Sequence, residues 1–320
     1  MKKVIQFIDS IIERLKPIFR LILSQSKRIK LPFFEGLSLY DVVYFFFKGI
    51  YEGAITTRAG SISFSFFMAL FPGIIFLFTL IPYVAEPGMQ GEIFDLLKAV
   101  LPPTSYELAE STIVDIVSIK RGDLLWITLI STLIFATNGT LSLITNFSSS
   151  FHKIEYKSFW QQYLSAIVLT VVLSFLLVVS LTLVSLGQSF LEWVVSKGYI
   201  EQLAANLFNI LRTVVLLFTV LLAISLLYNY GPIKGRQWRL ISPGSLLATT
   251  LTILSSLAFG VYVTNFAQYN KLYGSIGTLL VIMLWIYINA IGLIIGFELN
   301  ASVARAKSQL EEQKELMDKL

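Results

Sequence analysis

Charged and apolar positions are sharply segregated along this chain. Six windows contain no Asp, Glu, Lys or Arg: Ala59–Ala85, Leu124–His152, Ser158–Leu191, Thr213–Ile233, Leu240–Asn270 and Leu272–Phe297. Each is at least 21 residues long. A helix needs about 20 apolar residues to cross the hydrocarbon core of a bilayer. Inside that core only helices and closed barrels satisfy their own backbone, and the short alternating segments of a barrel are absent. The pattern predicts an all-α polytopic membrane protein. Its six spans fall at roughly 60–84, 124–147, 161–187, 207–230, 242–266 and 276–302.

Two further segments are amphipathic. Val4, Phe7, Ile8, Ile11, Ile12, Leu15 and Ile18 form one helical stripe, with Asp9, Glu13, Arg14 and Lys16 elsewhere. This is the pattern of a helix lying in the membrane interface. Residues 38–58 repeat it with Val42, Val43, Phe46, Ile50 and Ile55, predicting an in-plane helix that turns into the first span. Three parts follow: a basic amphipathic arm at 1–37, a membrane domain at 38–305 and a charged tail at 306–320. The 86–123 connection contains Pro102-Pro103 and apolar residues. It is expected to form two short helices capping the outer face.

Composition agrees: 55% of residues are hydrophobic and 14% charged, against about 25% charged in a soluble domain. With no cysteine, disulfides and thiolate chemistry are excluded. Charge then sets the topology. Residues 1–58 carry ten Lys/Arg, the 153–157 loop carries Lys153 and Lys157, and the 234–239 loop carries Lys234, Arg236 and Arg239. The alternate loops are poor in Lys/Arg, and 86–123 has three against seven Asp/Glu. Basic loops stay in the cytoplasm, so both termini are expected there. Met1-Lys2-Lys3 is read as mature sequence, since no small-residue cleavage site follows. The basic arm suits anionic lipid headgroups; nothing suggests nucleic acid. A homo-oligomer is compatible with the sequence.

Several motifs occur in order along the predicted spans. They are Arg58-Ala59-Gly60-Ser61, Leu70-Phe71-Pro72, Leu143-Ile144-Thr145-Asn146-Phe147, Leu227-Tyr228-Asn229-Tyr230-Gly231-Pro232 and Pro243-Gly244-Ser245-Leu246. The last span adds Tyr273-Gly274-Ser275-Ile276-Gly277, Trp285-Ile286-Tyr287 and Gly296-Phe297-Glu298-Leu299-Asn300-Ala301. Over about residues 40–305 the chain resembles the YihY / virulence factor BrkB family of bacterial inner-membrane proteins, once labelled "ribonuclease BN". The resemblance implies six membrane helices, a poorly defined activity and transport as the usual suggestion.

Ionisable groups within a bilayer are costly and mark function by default. Three fall here: Arg58, Arg212 and Glu298. Glu298 reads either as a proton, cation or substrate site or as the structural partner of Arg58, which enters the first span at the same level. Arg212 lies about one turn into the fourth span. It either snorkels to the headgroups or binds an anionic group in a cavity. In the last span Asn289, Gly292, Gly296 and Asn300 share one face, the glycines in a GxxxG pattern that serves close helix packing. The alternative is a polar pathway continued by Ser61, Ser63, Ser65, Asn138 and Asn146. Pro72-Gly73 and Pro243-Gly244 raise the idea of broken helices in two inverted halves.

Enzyme chemistry finds little footing. His152, the sole histidine, has no accompanying ligands and reads as a boundary residue. There is no Walker A pattern, no nucleophile with an evident base, and no cofactor motif. Two classes remain: a secondary transporter or lipid/solute permease, and a structural or partner-binding envelope protein. Ribonuclease activity has no chemical support in these residues.

Overall fold

The computed structural model describes residues 37–84, 119–150, 157–196, 202–231, 239–265 and 270–318. Among them every regular element is an α-helix: α1 Leu39–Glu52, α2 Ile55–Val84, α3 Gly122–Ser148, α4 Phe159–Ser196, α5 Gln202–Tyr230, α6 Pro243–Asn265 and α7 Asn270–Asp318. Six of them, α2 to α7, are long and apolar enough to cross a membrane. The arm at 1–36, most of the 86–123 connection and His152 lie outside the described residues.

The spanning helices touch in chain order, α2 to α3 through to α7, and α7 also packs on α2. They therefore form a closed ring. α1 rests on α7, where Leu37 and Val42 are buried against Val303 and Ala306. α1 is shorter than the 38–58 amphipathic segment suggests. Ser38 caps its start by accepting from the Asp41 N–H, and it stops at Gly53. Ala54 follows with φ 44°, a left-handed conformation uncommon outside glycine. The chain thus turns sharply at an elbow, and residues 55–58 already belong to the spanning helix.

The idea of broken helices is corrected. Pro72-Gly73 does not break α2, which stays helical from Ile55 to Val84, and Pro243 is the first residue of α6. A proline at a helix start needs no N–H partner, and membrane helices tolerate interior proline. No pair of broken helices results. α7 continues unbroken through the charged tail to Asp318, roughly 73 Å in all. Residues 303–318 contain no Gly or Pro to stop it.

In lipid, apolar burial does not drive helices together, so small and polar residues do much of the joining. The structure uses both. At the α6–α7 crossing a Cβ on Gly296 would stand 2.5 Å from the Gly244 carbonyl oxygen and 2.7 Å from Tyr228 Oη. A Cβ on Gly244 would collide with the Gly296 carbonyl. Buried Thr170 donates to Thr140 at 2.9 Å, linking α4 to α3. Large apolar side chains such as Leu164, Phe175, Leu254 and Val261 point outward, as lipid contact requires.

Candidate functional site: a buried ion pair where four helices meet

Arg58 sits in the first turn of α2, just after the elbow. Glu298 sits on α7, at the same end of the bundle. Arg58 Nη1 lies 2.6 Å from Glu298 Oε1. Arg58 is 5% exposed and Glu298 fully buried. The remaining contacts explain why a cation is held there. Arg58 Nη1 also donates to the Gly53 carbonyl at 3.1 Å, and Nε donates to the Asn146 carbonyl at 2.8 Å. Gly53 ends α1, and Asn146 is in the last turn of α3. Carbonyls at helix C-termini lack intrahelical donors and carry the negative end of the helix dipole. The guanidinium thus joins the C-termini of two helices to the carboxylate of a third. Arg58 Nη2 is buried and has no hydrogen-bond partner among the described residues.

The carboxylate is held from the other side as well. Ser150, just beyond α3, donates to Glu298 Oε2 at 2.8 Å. The neighbouring residues pack tightly: Phe147 stacks on Phe297 with ring centroids 4.6 Å apart, and Tyr228 meets both edge-on. Tyr228 Oη donates to the Leu293 carbonyl at 2.6 Å. A buried ion pair costs desolvation, so its presence argues weakly for stability; removing one partner alone is what destabilises strongly. The Glu298 carboxylate is the shared acceptor at which Arg58 of α2 and Ser150, beyond α3, meet α7.

Asn146 comes into this site through its carbonyl; its side chain donates to Ser61 Oγ at 3.3 Å and to the Ser142 carbonyl at 2.8 Å. Ser65 donates back to the Ser61 carbonyl on its own helix. The α7 stripe faces α6. Asn289 accepts from Ser255, and a Cβ on Gly292 would lie 3.3 Å from Leu251 Cβ. Asn300 accepts from the Gly244 N–H at 3.0 Å and donates to Ser242 Oγ at 2.9 Å. These four residues are spent on packing and on capping α6. Arg212 does not join them: it is half-buried on α5, roughly 27 Å along the helix from Tyr230.

Sequence reasoning passed over the roles of four residues. Ser150 had no motif to flag it. Lys157 read only as loop charge, yet its Nζ donates to Ser165 Oγ at 3.0 Å and to the Tyr230 carbonyl at 2.8 Å, tying α4 to the C-terminus of α5. Burial lowers the Lys157 ammonium from its ordinary range. Ser242 and Ser245 cap α6 reciprocally: Ser242 Oγ accepts the Ser245 N–H, and Ser245 Oγ accepts the Ser242 N–H. That pair was legible as a serine preceding Pro-Gly-Ser.

Residues 46–319 match the profile of the Virulence factor BrkB family. A Bacillus subtilis protein named as ribonuclease-like, YfkH, is 28% identical over 82% of this chain and 94% of its own length. A UPF0761 membrane protein of Alteromonas mediterranea is 25% identical over 84% of this chain and 89% of its own. One from Aeromonas salmonicida is 31% identical over 34% of this chain and 39% of its own. No solved structure matches. With six apolar helices and a family match over most of its length, the chain belongs to the Virulence factor BrkB family of membrane proteins.

Proposed function

We propose that this protein is a non-enzymatic permease of the inner membrane, a secondary transporter for a lipid or solute. In this reading both termini are cytoplasmic and the Arg58–Glu298 pair is the cytoplasmic gate. The observation that carries the reading is the pair itself, two buried charges joining three spanning helices and the helix before them. The basic loops support the orientation. Among the described residues no group of three His, Cys, Asp or Glu side chains could hold a metal ion. The basic arm then anchors the cytoplasmic end on anionic headgroups.

The test is flux in proteoliposomes, with fluorescent phospholipids and a panel of charged solutes. The wild-type chain should move at least one of them faster than protein-free vesicles, and Glu298→Gln should change that rate and its pH dependence. Flux equal to protein-free vesicles across the panel would defeat the reading. A second reading is favoured by the dry aromatic packing of Phe147, Phe297 and Tyr228 beside the pair. In it the bundle is a structural or partner-binding envelope protein, and the ion pair only fixes its shape.

A further inference from the structure

α1 turns a different side outward than its apolar stripe of Val42, Val43, Phe46 and Ile50 suggests. Val42 is buried with Val303 and Ala306 of α7, and Gly49, on the same side of α1, is buried too. The side opposite α7 carries a row of rings. Tyr40, Tyr44, Phe47 and Tyr51 follow one another at alternating steps of four and three residues, which keeps them on one line of a helix. Tyr44 is 50% exposed, Phe47 63% and Tyr51 89%. The flanks of the row differ. At about 100° per residue, Asp41, Lys48 and Glu52 fall on one flank, and Val43 and Ile50 on the other. A helix seated on a membrane boundary has this order, with charges toward water, aliphatic side chains toward the acyl chains and rings between them.

Depth agrees with that order. The row ends at Tyr51, just before the elbow from which α2 enters the bundle. At the same end of the ring Phe159 and Trp160, where α4 starts, and Tyr230, where α5 stops, are exposed. At the far end Tyr83 and Trp126 are exposed. Along α3, Trp126 lies roughly 33 Å from Ser148, which adjoins the Arg58 layer. The hydrocarbon core is about 30 Å thick, so the two sets of rings stand one bilayer apart. Tyr and Trp collect at both membrane boundaries because an apolar ring there ends in a wet polar tip. α1 is also inclined toward the membrane plane. It covers roughly 24 Å from Leu37 to Gly53, whereas the α7 residues at those two levels, Ala306 and Glu298, are roughly 12 Å apart.

We infer that the aromatic row of α1 binds phospholipid, seated where headgroups meet acyl chains in the leaflet at the Arg58 end. The rings lie against the upper acyl chains, and the tyrosine hydroxyls reach the ester and phosphate oxygens. The row itself carries no charge, so this seat needs no anionic lipid and differs in kind from the basic arm. It also stands close to the ion pair: Gly53, two residues after Tyr51, accepts from Arg58 Nη1 at 3.1 Å. The inference is independent of the transport reading and survives its failure.

The chain has no cysteine, so a single nitroxide reports a single site. Labels at Phe47→Cys and Tyr51→Cys in proteoliposomes should collide with oxygen, which concentrates in lipid, in preference to a water-soluble nickel chelate. Their oxygen-to-nickel ratio should exceed several-fold that of a label at Glu311→Cys, exposed on the extension of α7. A label at Asp41→Cys should behave like Glu311→Cys. The ratios should be the same in phosphatidylcholine alone and with phosphatidylglycerol added. Tyr44→Ser together with Tyr51→Ser should lower the ratio at Phe47→Cys, with the melting temperature showing that the bundle is still folded. Labels at 47 and 51 as open to nickel as Glu311→Cys would put the row in water and overturn the inference. Shielding from both reagents would mean that protein covers the row, and overturns it too. So does lipid contact that appears only with phosphatidylglycerol, or a ratio at Phe47→Cys that ignores the loss of both tyrosines.

Discussion

α5 buries Ile224, Ser225, Leu227 and Tyr228 near its end at Tyr230, but nothing between Phe208 and Ala223. α6 buries Gly244, Ser245, Ala248 and Thr249 in its first turns, and no residue from Thr250 to Val263. α2 buries Arg58, Ala59, Ile62 and Ser63, then only Thr79 and Pro82. The two ends of the ring are therefore built on different terms. At the Arg58 end, glycine contacts, helix caps and an ion pair bring backbones together. At the far end, large aliphatic side chains face outward, and the cross-helix hydrogen bonds among the described residues include Thr79 to Thr128 at 3.3 Å. Lipid gives apolar surfaces no reason to leave it, so packing follows the small and polar residues. The cross-helix contacts and buried side chains of α2, α5 and α6 thus concentrate at the Arg58 end.

The largest test of the comparison is to unlatch the packed end. Glu298→Gln and Arg58→Gln should each cost about 3 kcal/mol, since each strands a buried partner. The double variant should lose clearly less than the sum, because both single changes break the same contact. Equilibrium unfolding in mixed detergent measures this. Strict additivity would show that the pair is not coupled and that the end is held by packing alone.

Next in size is a matched pair of glycine changes on the two halves. Gly296→Ala puts a Cβ against the Gly244 carbonyl and Tyr228 Oη and should cost about 2–3 kcal/mol. Gly260→Ala, on the far half of α6 with nothing within 4 Å, should be neutral or stabilise by up to about 1 kcal/mol. Equal effects at the two sites would erase the contrast between the ends.

Much of this was legible in the sequence, for identifiable reasons. Charge-free windows mark spans because a bilayer punishes every charge, and Arg58 and Glu298 paired on paper because both fell at one membrane level. The backbone partners of Arg58 were not legible. The Gly53 and Asn146 carbonyls matter through where two helices stop, and side-chain pattern says little about that. Hydropathy marks where the last span leaves the bilayer, near residue 302, but not where its helix stops: residues 303–318 have no Gly or Pro, and α7 runs on through the charged tail to Asp318. Asn289, Gly292, Gly296 and Asn300 were correctly grouped on one face, but a face alone does not say whether a neighbour or a pathway lies opposite.

A smaller effect tests the caps. Ser242→Ala removes the acceptor of the Ser245 N–H and one partner of Asn300, and should cost about 1 kcal/mol in the same unfolding assay. Thr250→Ala, exposed on the same helix, should cost a few tenths of that. If Thr250→Ala costs as much, the α6 start is not specially held.

The smallest expected effect concerns Lys157 and pH. This residue lies two positions before the start of α4, at the packed end, where burial lowers its affinity for a proton below that of a free lysine near 10.5. The folded protein therefore releases this proton at lower pH than the unfolded chain does. Between the two values the unfolded state binds more protons, so stability must rise as pH rises toward 10.5. Below the folded value both states are protonated, and Lys157 contributes no slope. Melting temperature in detergent should accordingly climb more steeply in the alkaline range for the wild type than for Lys157→Met, which cannot titrate. Lys157→Met should also lower stability slightly at neutral pH by leaving the Tyr230 carbonyl without its donor. An identical pH slope in the two proteins would mean that Lys157 is as well hydrated as the exposed lysines. The link between α4 and α5 would then have to be assigned to the packing of Ala166, Leu169 and Ile224 instead.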